Sequence, residues 1–139
     1  MKVIILGLDG ATFDVIIPLV EQGKLSNFKY IMKNGSWGKL RSTIPPLSHP
    51  AWVSFSTGAS PRVHGIVDAV HKKTKSYKYY YISSKDVKHP FFWEILGKYG
   101  KKVGIIGVMV TYPPRPVNGF LITGGLTPSY DNFTYPSHL

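Results

Sequence analysis

Two residues of this sequence have the type and position to do chemistry: Asp9 and Ser48. Asp9 follows the apolar run Val3-Ile4-Ile5-Leu6-Gly7-Leu8. A continuous run rich in Val and Ile reads as a strand buried on both faces of a parallel sheet. In open α/β sheets, ligands bind beyond the carboxyl ends of such strands. A carboxylate there is placed to hold a hard or borderline divalent cation. Asp9-Gly10 is equally a turn dipeptide, and both roles stay open on the residues alone.

Ser48 lies in Thr43-Ile44-Pro45-Pro46-Leu47-Ser48-His49-Pro50-Ala51-Trp52, ahead of a helix that Pro50 is suited to open. The amides and dipole at a helix start favour an anion, either a phosphate or a developing alkoxide. A serine hydroxyl is a poor nucleophile at neutral pH and needs a base or a metal ion to activate it. The commoner duty of a Ser at that place is to cap the helix. His49 is poorly placed as the base, because adjacent residues seldom turn their side chains toward each other. His64 reads as a structural hydrogen-bonding group. His71, His89 and His138 show no metal-ligand spacing, and the P-loop, Rossmann and nucleophile-elbow motifs are absent.

The elements that must position these residues follow from periodicity. Residues 2–8 form the first buried strand. Pro18 opens a short helix closed by Gly23. Ser26 caps a second helix with Phe28, Ile31 and Met32 at helical spacing, stopped by Gly35. Residues 38–43 make a short strand, and a helix with Pro50 in its first turn runs through Trp52 and Phe55 to end near Gly58. Tyr77, Tyr79 and Tyr81 alternate within a basic strand with one exposed face. Phe92, Ile95, Leu96 and Tyr99 form one face of a helix ending at Gly100. Residues 103–110 read as a second buried strand and residues 120–123 as a third. Residues 132–137 read as the opening of a helix. The expected class is α/β, a mostly parallel sheet flanked by helices, in a single domain over residues 1–139.

Composition narrows the function classes. The chain has 139 residues, no Cys, and 17 basic against 7 acidic side chains, for a formal charge of +10. That excludes a disulfide scaffold, a Cys-based zinc module and a cysteine nucleophile. At 43% hydrophobic and 14% aromatic, the sequence is too apolar for a disordered chain. No apolar run approaches the roughly 18 residues of a membrane span. The run at Val3 to Leu6 is too short for a secretory leader, so the expectation is a cytoplasmic protein with no membrane partner. The positive excess attracts phosphates, although with 17% charged residues it reads as a scarcity of acids. The stretch His71-Lys72-Lys73-Thr74-Lys75-Ser76-Tyr77-Lys78-Tyr79-Tyr80-Tyr81 mixes charge with stacking surface, as single-stranded nucleic-acid platforms do. A solvated edge on which Lys blocks unwanted pairing is the preferred reading, so nucleic acid is not expected as a partner.

Taken in order, the motifs resemble the type I phosphodiesterase/nucleotide pyrophosphatase family of the alkaline phosphatase superfamily. The matching pieces are Ile4-Ile5-Leu6-Gly7-Leu8-Asp9-Gly10, Ser42-Thr43-Ile44-Pro45-Pro46-Leu47-Ser48 and Ala51-Trp52-Val53-Ser54-Phe55. They continue with Thr57-Gly58-Ala59-Ser60-Pro61-Arg62-Val63-His64-Gly65-Ile66, Phe92-Trp93-Glu94, Tyr112-Pro113-Pro114, Val117-Asn118-Gly119-Phe120 and Thr127-Pro128-Ser129. The resemblance implies a partial alkaline-phosphatase-like fold, a phosphate-ester substrate and two divalent ions, zinc or manganese. It implies Asp9 as a ligand of one ion. It implies Ser48 as both a bridging metal ligand and the nucleophile that attacks phosphorus. Relatives that act on nucleotides carry an Asn where this chain has Ala51, and further Asp and His ligands come later in their chains. Asp131 and His138 are the late candidates here, and neither sits in that pattern.

The chain is therefore expected to be the N-terminal part of a larger catalytic domain, inactive alone, with weak metal binding. Self-association through an exposed sheet or helix surface is expected. The alternative is a non-enzymatic basic binding module, for nucleic acid or a partner protein, that keeps the fold.

Overall fold

The computed structural model describes residues 2–73, 75–128 and 131–139. Thr74 of the Lys–Tyr stretch and Ser129 of the last matching motif lie outside the described residues. The chain divides into two units, residues 1–41 and 42–139. No helix among the described residues is long and apolar enough to cross a membrane.

In the smaller unit, α1 (Phe13–Glu21) is capped by Thr12, whose hydroxyl accepts from the Asp14 amide at 3.4 Å. Asp14 in the first turn complements the positive end of the helix. The expected opening at Pro18 is corrected: Thr12 and Asp14 start the helix earlier, and Pro18 lies inside it. Gly23, at φ +76°, follows the end of the helix. Next comes α2 (Ser26–Asn34), with Leu25 rather than Ser26 in the capping position, and Gly35 ends it. The rings of Phe13 and Trp37 meet at 5.1 Å. Neither helix buries a residue completely.

Two expected strands are absent from this region. Residues 2–8 are irregular and exposed throughout, with Ile4 93% accessible, and they join neither sheet. Residues 38–43 carry no ladder either. The physical reason is common to both: apolar patterning marks a segment suited to a sheet, but a strand exists only where a neighbour accepts its backbone hydrogen bonds.

The larger unit holds α3 (Ser48–Thr57), α4 (Pro61–His64), β1 (Val70–Lys72), β2 (Tyr79–Tyr81) and a 3-10 turn (Ser84–Asp86). These are followed by α5 (Phe92–Lys98), β3 (Val103–Val108), β4 (Gly119–Thr123) and β5 (Thr134–Tyr135). β1 and β2 pair antiparallel, and the second sheet has the order β3-β4-β5. Only β3 and β4 are parallel, while β5 returns antiparallel to β4. The fold is α/β as expected, but the mostly parallel sheet is corrected to a small mixed sheet and a separate two-stranded one.

Residues 132–137 contain β5 rather than a helix start. The Thr134 and Tyr135 backbones pair with Ile122 and Leu121, and long-range pairing outweighs the local capping pattern. Gly119 is required where β4 begins: at φ +143°, a Cβ there would lie 1.9 Å from the Val103 carbonyl oxygen.

The core comprises Val53, Ile66, Ile82, Val87, Phe91, Trp93, Ile105, Val110 and Leu121. α5 presents a different face from the one its periodicity suggested. Trp93 is fully buried, stacked on Phe91 at 4.7 Å, while Ile95, Leu96 and Tyr99 are exposed. β3 is likewise not buried on both faces, for Ile105 points into the core and Ile106 is exposed. It lies at the edge of its sheet.

Arg115 ties these parts together. Its guanidinium donates to Glu94 Oε1 at 3.3 Å, to the Val87 carbonyl at 3.1 Å and to the Ser84 carbonyl. It also lies 4.9 Å from the centre of the Phe91 ring. Arg115→Met keeps the stem but loses the charged hydrogen bonds, and is expected to lower stability by about 2–3 kcal/mol. Urea unfolding should show a lower midpoint with an unchanged slope. Glu94→Gln, which keeps an acceptor for the Phe91 amide, is expected to lose about 1 kcal/mol or less.

Candidate active site

Asp9 sits in the turn with Gly10, whose φ of +67° suits glycine. Asp9 lies in an exposed stretch of the smaller unit and takes part in an interaction within the structure. The turn expected of Asp9-Gly10 is present.

Ser48 belongs to the larger unit. The loop before it is fixed locally by the Thr43 hydroxyl, which donates to the Pro45 carbonyl at 2.9 Å. Leu47 is extended and occupies the capping position, so Ser48 is the first residue of α3 and not its cap. Ser48 is half-buried and also engaged in an interaction. Pro50 is the third residue of α3, within its first turn as expected, and it is buried. The amide that Pro50 lacks would have had no partner within the helix, and the ladder begins with Ala51, which donates to the Leu47 carbonyl at 3.1 Å. The helix dipole raises the potential at Ser48. α3 ends at Gly58, which is left-handed at φ +67° and donates to the Ser54 carbonyl.

His64 braces this helix. It is completely buried. Its Nδ1 accepts the Ile66 amide at 3.1 Å, so the ring proton resides on Nε2. Nε2 lies 2.9 Å from Ser54 Oγ and therefore donates to it. In this tautomer His64 is not a base toward Ser54, and the pair is structural, as the sequence suggested for His64. Ser54 as its partner was not legible, because residues 10 apart meet only through the corner between α3 and α4. Burial holds the imidazole below its ordinary value of 6.5. The Pro50 carbonyl opposes that shift by favouring the protonated ring, and the charge of His89 adds to it.

Asp86 anchors the hairpin formed by β1 and β2. It accepts from the Tyr80 hydroxyl at 3.1 Å, and from the Ser83 amide and hydroxyl, each at 2.8 Å. Burial pushes this carboxyl up, but the Ser83 and Tyr80 hydrogen bonds outweigh it, so it titrates below its ordinary range. His49 is half-buried, and Asp131 and His138 are exposed. No group of three or more His, Cys, Asp or Glu side chains placed to hold a metal ion occurs among the described residues. Asp9 and Ser48 are divided between the two units.

The family model described as Type I phosphodiesterase / nucleotide pyrophosphatase matches residues 3–138. No curated protein and no solved structure matches the chain.

Because the folded state binds the His64 proton less readily than the unfolded chain, its contribution to stability is complete above about pH 6.5. Stability is expected to fall as pH drops below that, by up to about 1.4 kcal/mol per pH unit. Denaturant melts across this window should show the slope, and His64→Gln should flatten it. A stability independent of pH there would contradict the buried neutral imidazole.

Proposed function

The chain belongs to the type I phosphodiesterase/nucleotide pyrophosphatase family, and we propose that it supplies the nucleophile-bearing part of a metal-dependent phosphohydrolase acting on a phosphate ester. The observation that carries this reading is the placement of Ser48 as the first residue of α3, a helix braced from below by His64.

Two oxygen donors, the Asp9 carboxylate and the Ser48 hydroxyl, have the chemistry to hold divalent ions such as zinc or manganese. When bound, such ions would supply positive charge that favours the ionised form of the serine hydroxyl. The remaining work falls to the chain. The start of α3 attracts the phosphate oxygens by its dipole. Ser48 Oγ, its proton given up to solvent, attacks phosphorus, so that an Oγ–P bond forms and the bond to the leaving oxygen breaks, the departing alkoxide taking a proton from solvent. Water then cleaves the phosphoserine, releasing phosphate product and restoring the hydroxyl. The His64–Ser54 bond and the buried side chains of Val53 and Pro50 keep the helix start from shifting, which preserves alignment for attack.

Asp9 and Ser48 each offer a single donor group, fewer than the four ligands a zinc ion takes. The 139-residue chain alone, with added zinc or manganese, is therefore expected to hydrolyse bis-p-nitrophenyl phosphate at or near the background rate. It is expected to bind zinc weakly by calorimetry, and more weakly still as Asp9→Asn. Robust turnover that disappears in Ser48→Ala would overturn the partial site and keep Ser48 as nucleophile. Robust turnover that survives Ser48→Ala would overturn Ser48.

A further inference from the structure

The hairpin of β1 and β2 has two chemically different faces. His71 and Tyr80 are cross-strand partners whose rings meet edge to face at 5.9 Å. Both are half-buried, and the Tyr80 hydroxyl is held by Asp86. Alternation therefore sends Lys72, Tyr79 and Tyr81 to the opposite, outer face, where Lys72 pairs with Tyr79. Tyr79 is 64% exposed and Tyr81 73%. Tyr77, beyond the strand, is 93% exposed with Lys72 Nζ 4.9 Å from its ring centre. Where the strands diverge, Lys73 donates its amide to the Lys78 carbonyl at 2.9 Å. Lys73 and Lys78 are the next pair after Lys72 and Tyr79, so alternation places them on the side of His71 and Tyr80, and both are exposed at the turn end of the hairpin. Lys72, Lys73, Lys75, Ser76 and Tyr77 line an open recess of about 420 Å³. Five lysines and no acidic residue occur between Asp68 and Asp86.

Protection of a sheet edge explains lysines but not three outward tyrosines, which make a surface more adhesive. Cations that follow a phosphate backbone, beside aromatic faces on which bases stack, form the recognition surface of single strands. We propose that this hairpin binds single-stranded nucleic acid across its outer face and turn end, with Tyr77, Tyr79 and Tyr81 stacking on bases, Lys72 on the outer face and Lys73, Lys75 and Lys78 at the turn end meeting phosphates. The site is independent of Ser48 and of the phosphohydrolase reading.

The test uses the 139-residue chain with fluorescein-labelled oligothymidylate and oligouridylate of about 12 nucleotides, read by anisotropy. Binding should weaken from about 50 mM to about 200 mM salt, with a log–log slope of about −3 if four phosphates are neutralised. Lys73→Gln with Lys78→Gln should reduce that slope by roughly 1.4. Tyr79→Ser with Tyr81→Ser should weaken binding about fivefold or more and leave the slope unchanged. Tyr77→Ala and Lys75→Gln lie outside both strands and repeat the two arms without touching the ladder, with circular dichroism confirming the fold. The two labelled oligomers distinguish DNA from RNA, and tight binding of either supports the proposal. Absence of binding at about 50 mM salt would overturn it. So would affinity for heparin or duplex DNA equal to that for single strands together with no tyrosine effect, which would mark a general polyanion surface. Binding to phosphatidylserine vesicles that oligonucleotide does not compete away would assign the face to membranes instead.

Discussion

The guanidinium of Arg115 is the interaction on which much of the larger unit depends. The segment around Ser84, the residues before α5 and the stretch between β3 and β4 contain little regular ladder, so their backbone groups need partners from side chains. Arg115 offers a planar fork of donors to two of these carbonyls and to Glu94, and lays its flat face on Phe91. Glu94 passes the restraint on, accepting the Phe91 amide at 2.9 Å with its other oxygen. Ser84 closes the circuit: its amide donates to the Tyr112 carbonyl at 2.7 Å and its hydroxyl to that of Pro113 at 2.6 Å.

From that centre, two lines of contact run outward. One leads through Val87, whose carbonyl Arg115 holds, to Lys88, whose amide donates to the His64 carbonyl at 3.0 Å. The His64 side chain in turn holds Ser54 of α3, the helix that begins with Ser48. The other leads through the 3-10 turn to Asp86, and from Asp86 to Tyr80 of the hairpin. A two-stranded hairpin is marginal by itself. The Tyr80–Asp86 bond and the buried Ile82 beside it fix which face meets the protein and which meets solvent.

The smaller unit is organised differently. Its helices are short, capped locally, and bury no residue completely. The apolar segment before them lies open in its own unit, with Ile4 and Leu6 almost fully accessible. Exposed apolar area of this kind carries no stabilisation until something covers it. Asp9 is consequently held by its local turn and not by a sheet.

Local features were legible from sequence by itself. The αL glycine at the end of α3, the helix before Gly100 and the turn at Asp9-Gly10 depend on residues close in the chain. The apolar runs also marked β3 within its expected range and β4 to within one residue, although their pairing is long-range. The family was legible too, because it is written in ordered motifs spanning most of the length. Tertiary structure alone decided which face of α5 is buried, whether an apolar run becomes a strand, and that residues 134–135 pair instead of starting a helix. It also decided that Ser54 completes His64 and that Arg115 serves carbonyls some 30 residues away. The division has one physical reason. Turns and caps are satisfied by neighbours along the chain, whereas strands, buried faces and charged hydrogen bonds exist only when distant backbone and side chains arrive to complete them.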